Sequence, residues 1–181
     1  LFEQRFASYQ GARFGIGVVN GSVAIRLALH AAGIQPGDEV IVPAYTFFST
    51  ASAVVEVNAV PIFVDISPDT YCLDPKTLED ASSSKTRAVI PVHFAGQAAA
   101  MHEIMEIANR YGLVVIEDAA HAHGAEYQGR RLGSIGEMST FSFQASKNLT
   151  SGEGGIILTS DEKLDRLCRS LHTCGRFPDS A

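Results

Sequence analysis

Residues 101–121 read MHEIMEIANRYGLVVIEDAAH, and two periods follow one another within them. Ile104, Met105, Ile107 and Ala108 recur at the spacing of one helical face, so the chain from Met101 to Tyr111 is expected to be an amphipathic helix. Leu113-Val114-Val115-Ile116 is a short, β-branched apolar run, the pattern of a strand buried on both faces. A helix feeding an all-apolar strand is the repeating unit of an α/β protein.

The same alternation extends in both directions. Upstream, Asn20-Gly21-Ser22 caps a helix beginning at Val23 and closed by Gly33. A strand over Glu39–Val42 stops at Pro43, a helix runs from about Phe48 to Val57, and Val60–Val64 is the next strand. After a loop over Asp65–Asp74, Pro75 starts a helix reaching about Ala81, and Arg87–Val92 reads as a strand. Downstream, Met138–Phe143 and Gly155–Thr159 are expected strands, and Asp161 to Leu171 a last amphipathic helix. Apolar strands alternating with helices imply a largely parallel sheet covered on both faces. No internal repeat or linker interrupts it, so a single α/β domain is expected.

Composition narrows the function. Hydrophobic residues make up 46% of the 181 and charged residues 19%, a globular balance. A net charge of −6 without any Lys/Arg run argues against nucleic-acid or membrane-surface binding. No apolar run reaches spanning length. Three scattered cysteines, Cys72, Cys168 and Cys174, suggest free thiols and a cytoplasmic setting. The chain opens on Leu1 and closes on a loop-like segment, so a longer parent polypeptide is expected.

A dinucleotide site is the first possibility for such a fold. Gly15-Ile16-Gly17-Val18-Val19-Asn20 comes nearest to its fingerprint, but the third glycine is missing and the segment lies before the helix cap. His121 and His123 have ligand-like spacing, yet no third ligand completes a metal set, so no metal is expected.

Other residues fall where α/β sheets collect ligands, at the carboxyl ends of strands and the starts of helices. Asn20-Gly21-Ser22 is either a plain N-cap or a phosphate cradle. Asp118 either satisfies nearby backbone or serves a ligand. Lys147, in FSFQASKNLTSGEGG (141–155), is either a solvated loop charge or an amine placed for chemistry. Together with the aromatic Phe47 beyond Val42, the set matches the needs of pyridoxal phosphate (PLP): a lysine for its aldehyde, a carboxylate for its pyridine nitrogen, amides and hydroxyls for its phosphate, and a ring to stack on it.

Five segments carry a further likeness: Asn20-Gly21-Ser22-Val23-Ala24; Pro43-Ala44-Tyr45-Thr46-Phe47; Pro91-Val92-His93-Phe94-Ala95-Gly96; Glu117 through Ala125; and Phe141-Ser142-Phe143 through Lys147 to Gly155. In this order they resemble the DegT/StrS family of PLP-dependent aminotransferases acting on sugars and cyclitols. The resemblance implies a fold-type I PLP-transferase large domain over residues 1–181, an α/β/α sandwich around a mostly parallel mixed sheet of about seven strands. Family members are roughly twice as long, so the resemblance implies that these residues are truncated before a C-terminal small domain. It implies that Lys147 bonds the cofactor and later moves a proton between the substrate Cα and C4′ of the cofactor. It implies that Asp118 pairs with the pyridine nitrogen, that Phe47 stacks on the ring, and that Ser22, the N–H of Val23 and Ser142 hold the phosphate. His121 stands where the family commonly has Gln near the 3-hydroxyl, a variant shared with some makers of amino-cyclitols or aminohydroxybenzoate. The implied reaction is ping-pong transfer from glutamate or glutamine to a nucleotide-linked keto-sugar or a keto-cyclitol, by a homodimer with shared active sites. A deoxygenating branch carries His in place of the lysine, and Lys147 separates this chain from it. A 3-amino-5-hydroxybenzoate synthase-like enzyme and a catalytically silent regulatory paralogue are the remaining alternatives.

Overall fold

The computed structural model describes residues 1–176. Its elements, in chain order, are α1 (Phe2–Gln10), β1 (Phe14–Val18), α2 (Gly21–Ala31), β2 (Glu39–Pro43), α3 (Ser49–Glu56), β3 (Val60–Val64), α4 (Pro75–Ala81), β4 (Thr86–Val89), α5 (Met101–Tyr111), β5 (Val114–Asp118), a short hairpin of β6 (Glu126–Tyr127) and β7 (Arg130–Arg131), β8 (Met138–Ser142), β9 (Gly155–Thr159) and α6 (Glu162–His172). Seven strands form one sheet in the order β1-β9-β8-β5-β4-β2-β3. The five from β3 to β8 run parallel, and β9 is antiparallel to both β8 and β1. This is the mostly parallel mixed sheet that the sequence leads one to expect.

The period of two along each strand sorts the core onto two faces. Val40, Val42, Ala88, Ile90 and Ile116 pack with α2, α3 and α6 on one side. Ile41, Val89 and Val115 pack with α4 and α5 on the other. Of the stripe expected in α5, Ile104, Ile107 and Ala108 are buried and Met105 is partly buried against the same cluster, with Met101 buried beside them. A third cluster, around Phe6, Phe141 and Phe143, seats α1 beside the end of β8.

Helix α1, strand β1 and the β6–β7 hairpin had no sequence signal. Helix α1 and strand β1 extend the sheet edge through a run, Phe14-Gly15-Ile16-Gly17-Val18, with two glycines and few β-branched residues. Tertiary bonds hold it there. The Gly17 N–H is donated to Glu3 Oε1 at 2.7 Å, and Arg169 of α6 reaches the Gly15 carbonyl at 3.0 Å and Glu3 at 3.2 Å. The glycine pair is therefore an edge strand against a helix, with no nucleotide loop. Strand β4 also stops earlier than expected, at Val89, because Pro91 has no N–H for a ladder. The Asp118 N–H is still donated to the Pro91 carbonyl (2.9 Å), which keeps residues 90–92 alongside β5.

Candidate active site

Strands β5 and β8 end at the same edge of the sheet, at Asp118 and Ser142. Antiparallel β9 begins there, and β1 ends there, handing the chain to the N-terminus of α2. Between them lies a cavity of about 730 Å³ lined by Ser22, Phe47, Asp118, His121, Ser142 and Lys147 among others. Six of the seven residues singled out from sequence thus share one space.

Asp118 is only 6% exposed. Its Oδ2 accepts from Thr50 Oγ1 at 2.8 Å and its Oδ1 from the Ala120 N–H at 3.2 Å. Thr50 is itself bonded to Thr46 (2.8 Å), so a chain of hydroxyls from the start of α3 fixes the carboxylate. Being acceptor-only, such a carboxylate is suited to a protonated nitrogen.

The opposite wall is the start of α2. Gly21 and Ser22 are its first two residues and have no upstream helical carbonyl for their N–H groups. With the positive end of the helix dipole they form an anion-binding corner. Three hydroxyls gather at this wall: Ser22, which donates to Ser49 Oγ at 2.6 Å, Ser49 itself, and Ser142. The seventh sequence candidate behaves differently. The Val23 N–H is taken by its own cap, Asn20 Oδ1, at 2.8 Å, and Val23 does not line the cavity. The corner is tight from below, since a Cβ on Gly155 would sit 2.4 Å from the Asn20 carbonyl carbon and 2.8 Å from the Gly21 nitrogen.

Lys147 stands on the loop between β8 and β9, half-buried, its N–H donated to the Gln144 carbonyl at 2.9 Å. Its amine makes no hydrogen bond or ion pair among the described residues. Burial pushes its pKa below the ordinary lysine value, and the nearby Asp118 charge only partly opposes this. Burial also lowers the pKa of His121, Lys147 pushes it the same way, and Asp118 partly restores it. Two rings border the opening: Phe47, 65% exposed, and Tyr45, 4.8 Å from Phe94 between centroids.

Several residues of the site were given no role by the sequence, although Thr46, His93 and Glu117 fall in segments that carry the family likeness. Thr46 and Thr50 are ordinary helix-start residues until the fold brings Asp118, 68 positions away, against Thr50. His93, which lines the cavity, forms a buried pair at 2.9 Å with Glu117, which does not. His123, spaced like a ligand partner of His121, instead points its Nε2 at the Ser142 carbonyl (3.0 Å). Among the described residues no group of three His, Cys, Asp or Glu side chains could hold a metal.

An amine of lowered pKa, a buried carboxylate and an anion corner at the edge of this mixed sheet go with the fold of fold-type I aminotransferases. The chain belongs to the DegT/DnrJ/EryC1/StrS aminotransferase family, which it matches over residues 1–180. It is 50% identical over 177 residues to a pleiotropic regulatory protein of Geobacillus stearothermophilus, covering 97% of this chain and 48% of that one. It is 46% identical over 175 residues to the L-glutamine:2-deoxy-scyllo-inosose aminotransferase of Streptomyces kanamyceticus, covering 97% and 41%. Among solved structures, an aminotransferase from Psychrobacter cryohalolentis superimposes with a TM-score of 0.96 at 39% identity, over 98% of this chain and 45% of that one. NtdA from Bacillus subtilis, solved with bound cofactor PMP, gives 0.89 at 40% identity over 93% and 38%. The chain thus spans less than half the length of these relatives.

Proposed function

We propose that these residues are the cofactor-binding large domain of a PLP-dependent aminotransferase that moves an amino group from glutamine or glutamate to a keto-cyclitol or keto-sugar. The observation that carries this reading is the convergence of Lys147, Asp118 and the start of α2 on one cavity. The donor set fits the cofactor. The anion corner suits its phosphate, Asp118 its ring nitrogen, Lys147 its aldehyde and Phe47 its ring face. The sugar- and cyclitol-acting relatives support the substrate class, and the PMP in NtdA supports the cofactor.

When bound, the cofactor supplies an electron sink beside the carbon that loses its proton. The chain's own residues do the rest. The lowered pKa of Lys147 leaves more of the amine unprotonated near neutral pH, so that it can take a proton from one carbon and return it to another. Asp118, immobilised by Thr50 and Ala120, would keep a proton on the ring nitrogen. The hydroxyls of Ser22 and Ser142 and the first N–H groups of α2 would hold the phosphate, and Phe47 would supply an aromatic face for the ring. The resemblance and the exposed pair Phe47 and Phe48, 65% and 70% exposed beside the cavity, support a homodimer whose subunits complete each other's sites. The scattered free thiols support a cytoplasmic location. Among the described residues no helix is long and apolar enough to cross a membrane.

The test is direct. Full-length protein mixed with PLP should develop a visible absorbance band that disappears when glutamine or glutamate is added. Borohydride should then fix the cofactor to the peptide carrying Lys147. No band, or attachment elsewhere, refutes the assignment. A band that persists with every amino donor would instead indicate a catalytically silent regulatory paralogue; the Geobacillus relative is named a pleiotropic regulatory protein.

A further inference from the structure

Strand β5 ends in two adjacent carboxylates that face opposite ways, and only Asp118 lines the cavity. Glu117 is fully buried and takes four hydrogen bonds. Its Oε2 accepts from His93 Nε2 at 2.9 Å and the Gly133 N–H at 2.7 Å, and its Oε1 from the N–H groups of Ile135 and Gly136, each at 2.7 Å. Burial alone would raise the carboxyl's pKa, but His93 and the N–H groups of Gly136 and Gly133 outweigh it and bring it below the ordinary value. No step of amino transfer needs this group.

His93 is equally buried, and its other nitrogen settles where its proton lies. Nδ1 accepts from the Ala99 N–H at 3.2 Å, so the proton sits on Nε2 and is donated to Glu117. The ring therefore braces the chain from residue 93 to residue 99. Inside the braced segment is the tight turn Phe94–Gly96, with Ala95 at φ 52, a left-handed conformation that a residue with a Cβ seldom adopts. In that conformation the Ala95 N–H is donated to His121 Nδ1 at 3.3 Å. The backbone N–H of His93 is meanwhile donated to the Asp118 carbonyl at 3.1 Å.

We propose that Glu117 and His93 are a positioning pair: by holding the 93–99 turn they fix His121 as the tautomer with its proton on Nε2, a single defined donor for a cavity ligand. The proposal rests on the PLP reading only for what that donor meets, the cofactor's 3-hydroxyl side. The tautomer itself belongs to the protein. A carboxylate is required at position 117 because all four of its partners donate. A Gln amide would turn its NH₂ either toward His93 and the Gly133 N–H or toward the Ile135 and Gly136 N–H groups; either way the side chain is driven from its place, His93 loses its anchor and the turn is freed.

Long-range ¹H–¹⁵N correlation spectra of full-length, histidine-labelled protein test this with or without cofactor, His121 and His93 being assigned by loss of signal in His121→Gln and His93→Gln. Recorded above pH 7, wild-type His93 and His121 should both carry their proton on Nε2. In Glu117→Gln the His121 ratio should move toward the Nδ1–H form by roughly 2- to 12-fold, the worth of one neutral hydrogen bond. His93→Leu, which removes both the donor to Glu117 and the acceptor for the Ala99 N–H, should give the same shift. A wild-type His121 protonated on Nδ1 overturns the proposal, and so does a folded variant with an unchanged ratio. Should neither variant fold, the wild-type spectrum alone decides. If the tautomers are as stated but no PLP band forms, the functional reading falls and this one stands.

Discussion

Gly155→Ala is a one-methyl change whose cost can be worked from backbone positions. The new Cβ would lie 2.4, 2.5 and 2.8 Å from the carbon and oxygen of Asn20 and the nitrogen of Gly21. Carbon contacts of this kind normally settle near 3.5 Å, so the start of α2 and the start of β9 must separate by about 1 Å. Every opposing atom is backbone, and no flexible side-chain end can yield. Overpacking of that kind costs about 1–3 kcal/mol, which at a urea slope of roughly 1–3 kcal/mol/M lowers the unfolding midpoint by about 1 M. The displaced atoms also form the anion corner. Losing one charge-assisted bond to a phosphate should weaken PLP binding by about 10- to 100-fold. Gly17→Ala is the matched control, because its Cβ would meet only the Glu3 side chain, at 3.4 Å and beyond. It should be neutral or stabilising by ~0.4–1 kcal/mol. Urea titration of both variants, followed by PLP titration on absorbance, gives the comparison. If Gly155→Ala matches wild type in midpoint and affinity, the close-approach reasoning is wrong.

Asp118→Asn keeps the shape of the side chain but loses its charge. Borohydride should still attach the cofactor to Lys147, while amino transfer falls by about 10²–10⁴; an unimpaired variant would remove Asp118 from its role. Lys147 has a depressed pKa in the folded protein, so the folded state disfavours its charge and stability rises with pH between that value and the unfolded one. Cofactor-free Lys147→Met should therefore have the higher urea midpoint at pH 7, with the gap closing as pH approaches the ordinary lysine range. A gap that does not change with pH would contradict the burial argument. Among the thiols, Cys174 is exposed, while Cys72 and Cys168 are buried and burial raises both, Cys168 to about 12. An aromatic disulfide reagent at pH 8 should label Cys174 quickly and the other two only on unfolding, read by peptide mass.

What could be read in the sequence depended on whether the cause was local. The helix over Met101–Tyr111 and the buried strands carry their periods in their own residues. Ser22, Phe47, Asp118 and Lys147 stood out because the ends of strands and starts of helices are where such side chains collect, whereas the roles of Val23, His121 and Ser142 rested on the family resemblance. Strand β1 was silent because its place rests on Glu3 and Arg169, from two helices far apart in sequence. The Thr46–Thr50–Asp118 relay was silent for the same reason. Val23 shows the opposite case: its position suggested a ligand contact, yet the cap formed by Asn20, three residues earlier, uses its N–H. Glu117 and His93 look like ordinary strand-end residues until four N–H donors from two segments meet one carboxylate.

The loop that carries Lys147 leaves the sheet at Ser142, on the wall formed by the start of α2, and re-enters it at Gly155, pressed against the Asn20–Gly21 peptide. Both ends of its travel are therefore nailed to the same helix terminus. The amine and the anion corner cannot drift independently: a tug on one is felt at the other, as with two hooks on one short cord. A ligand that seats its negative end at α2 would thereby set the reach of the lysine, so that binding and alignment become a single event.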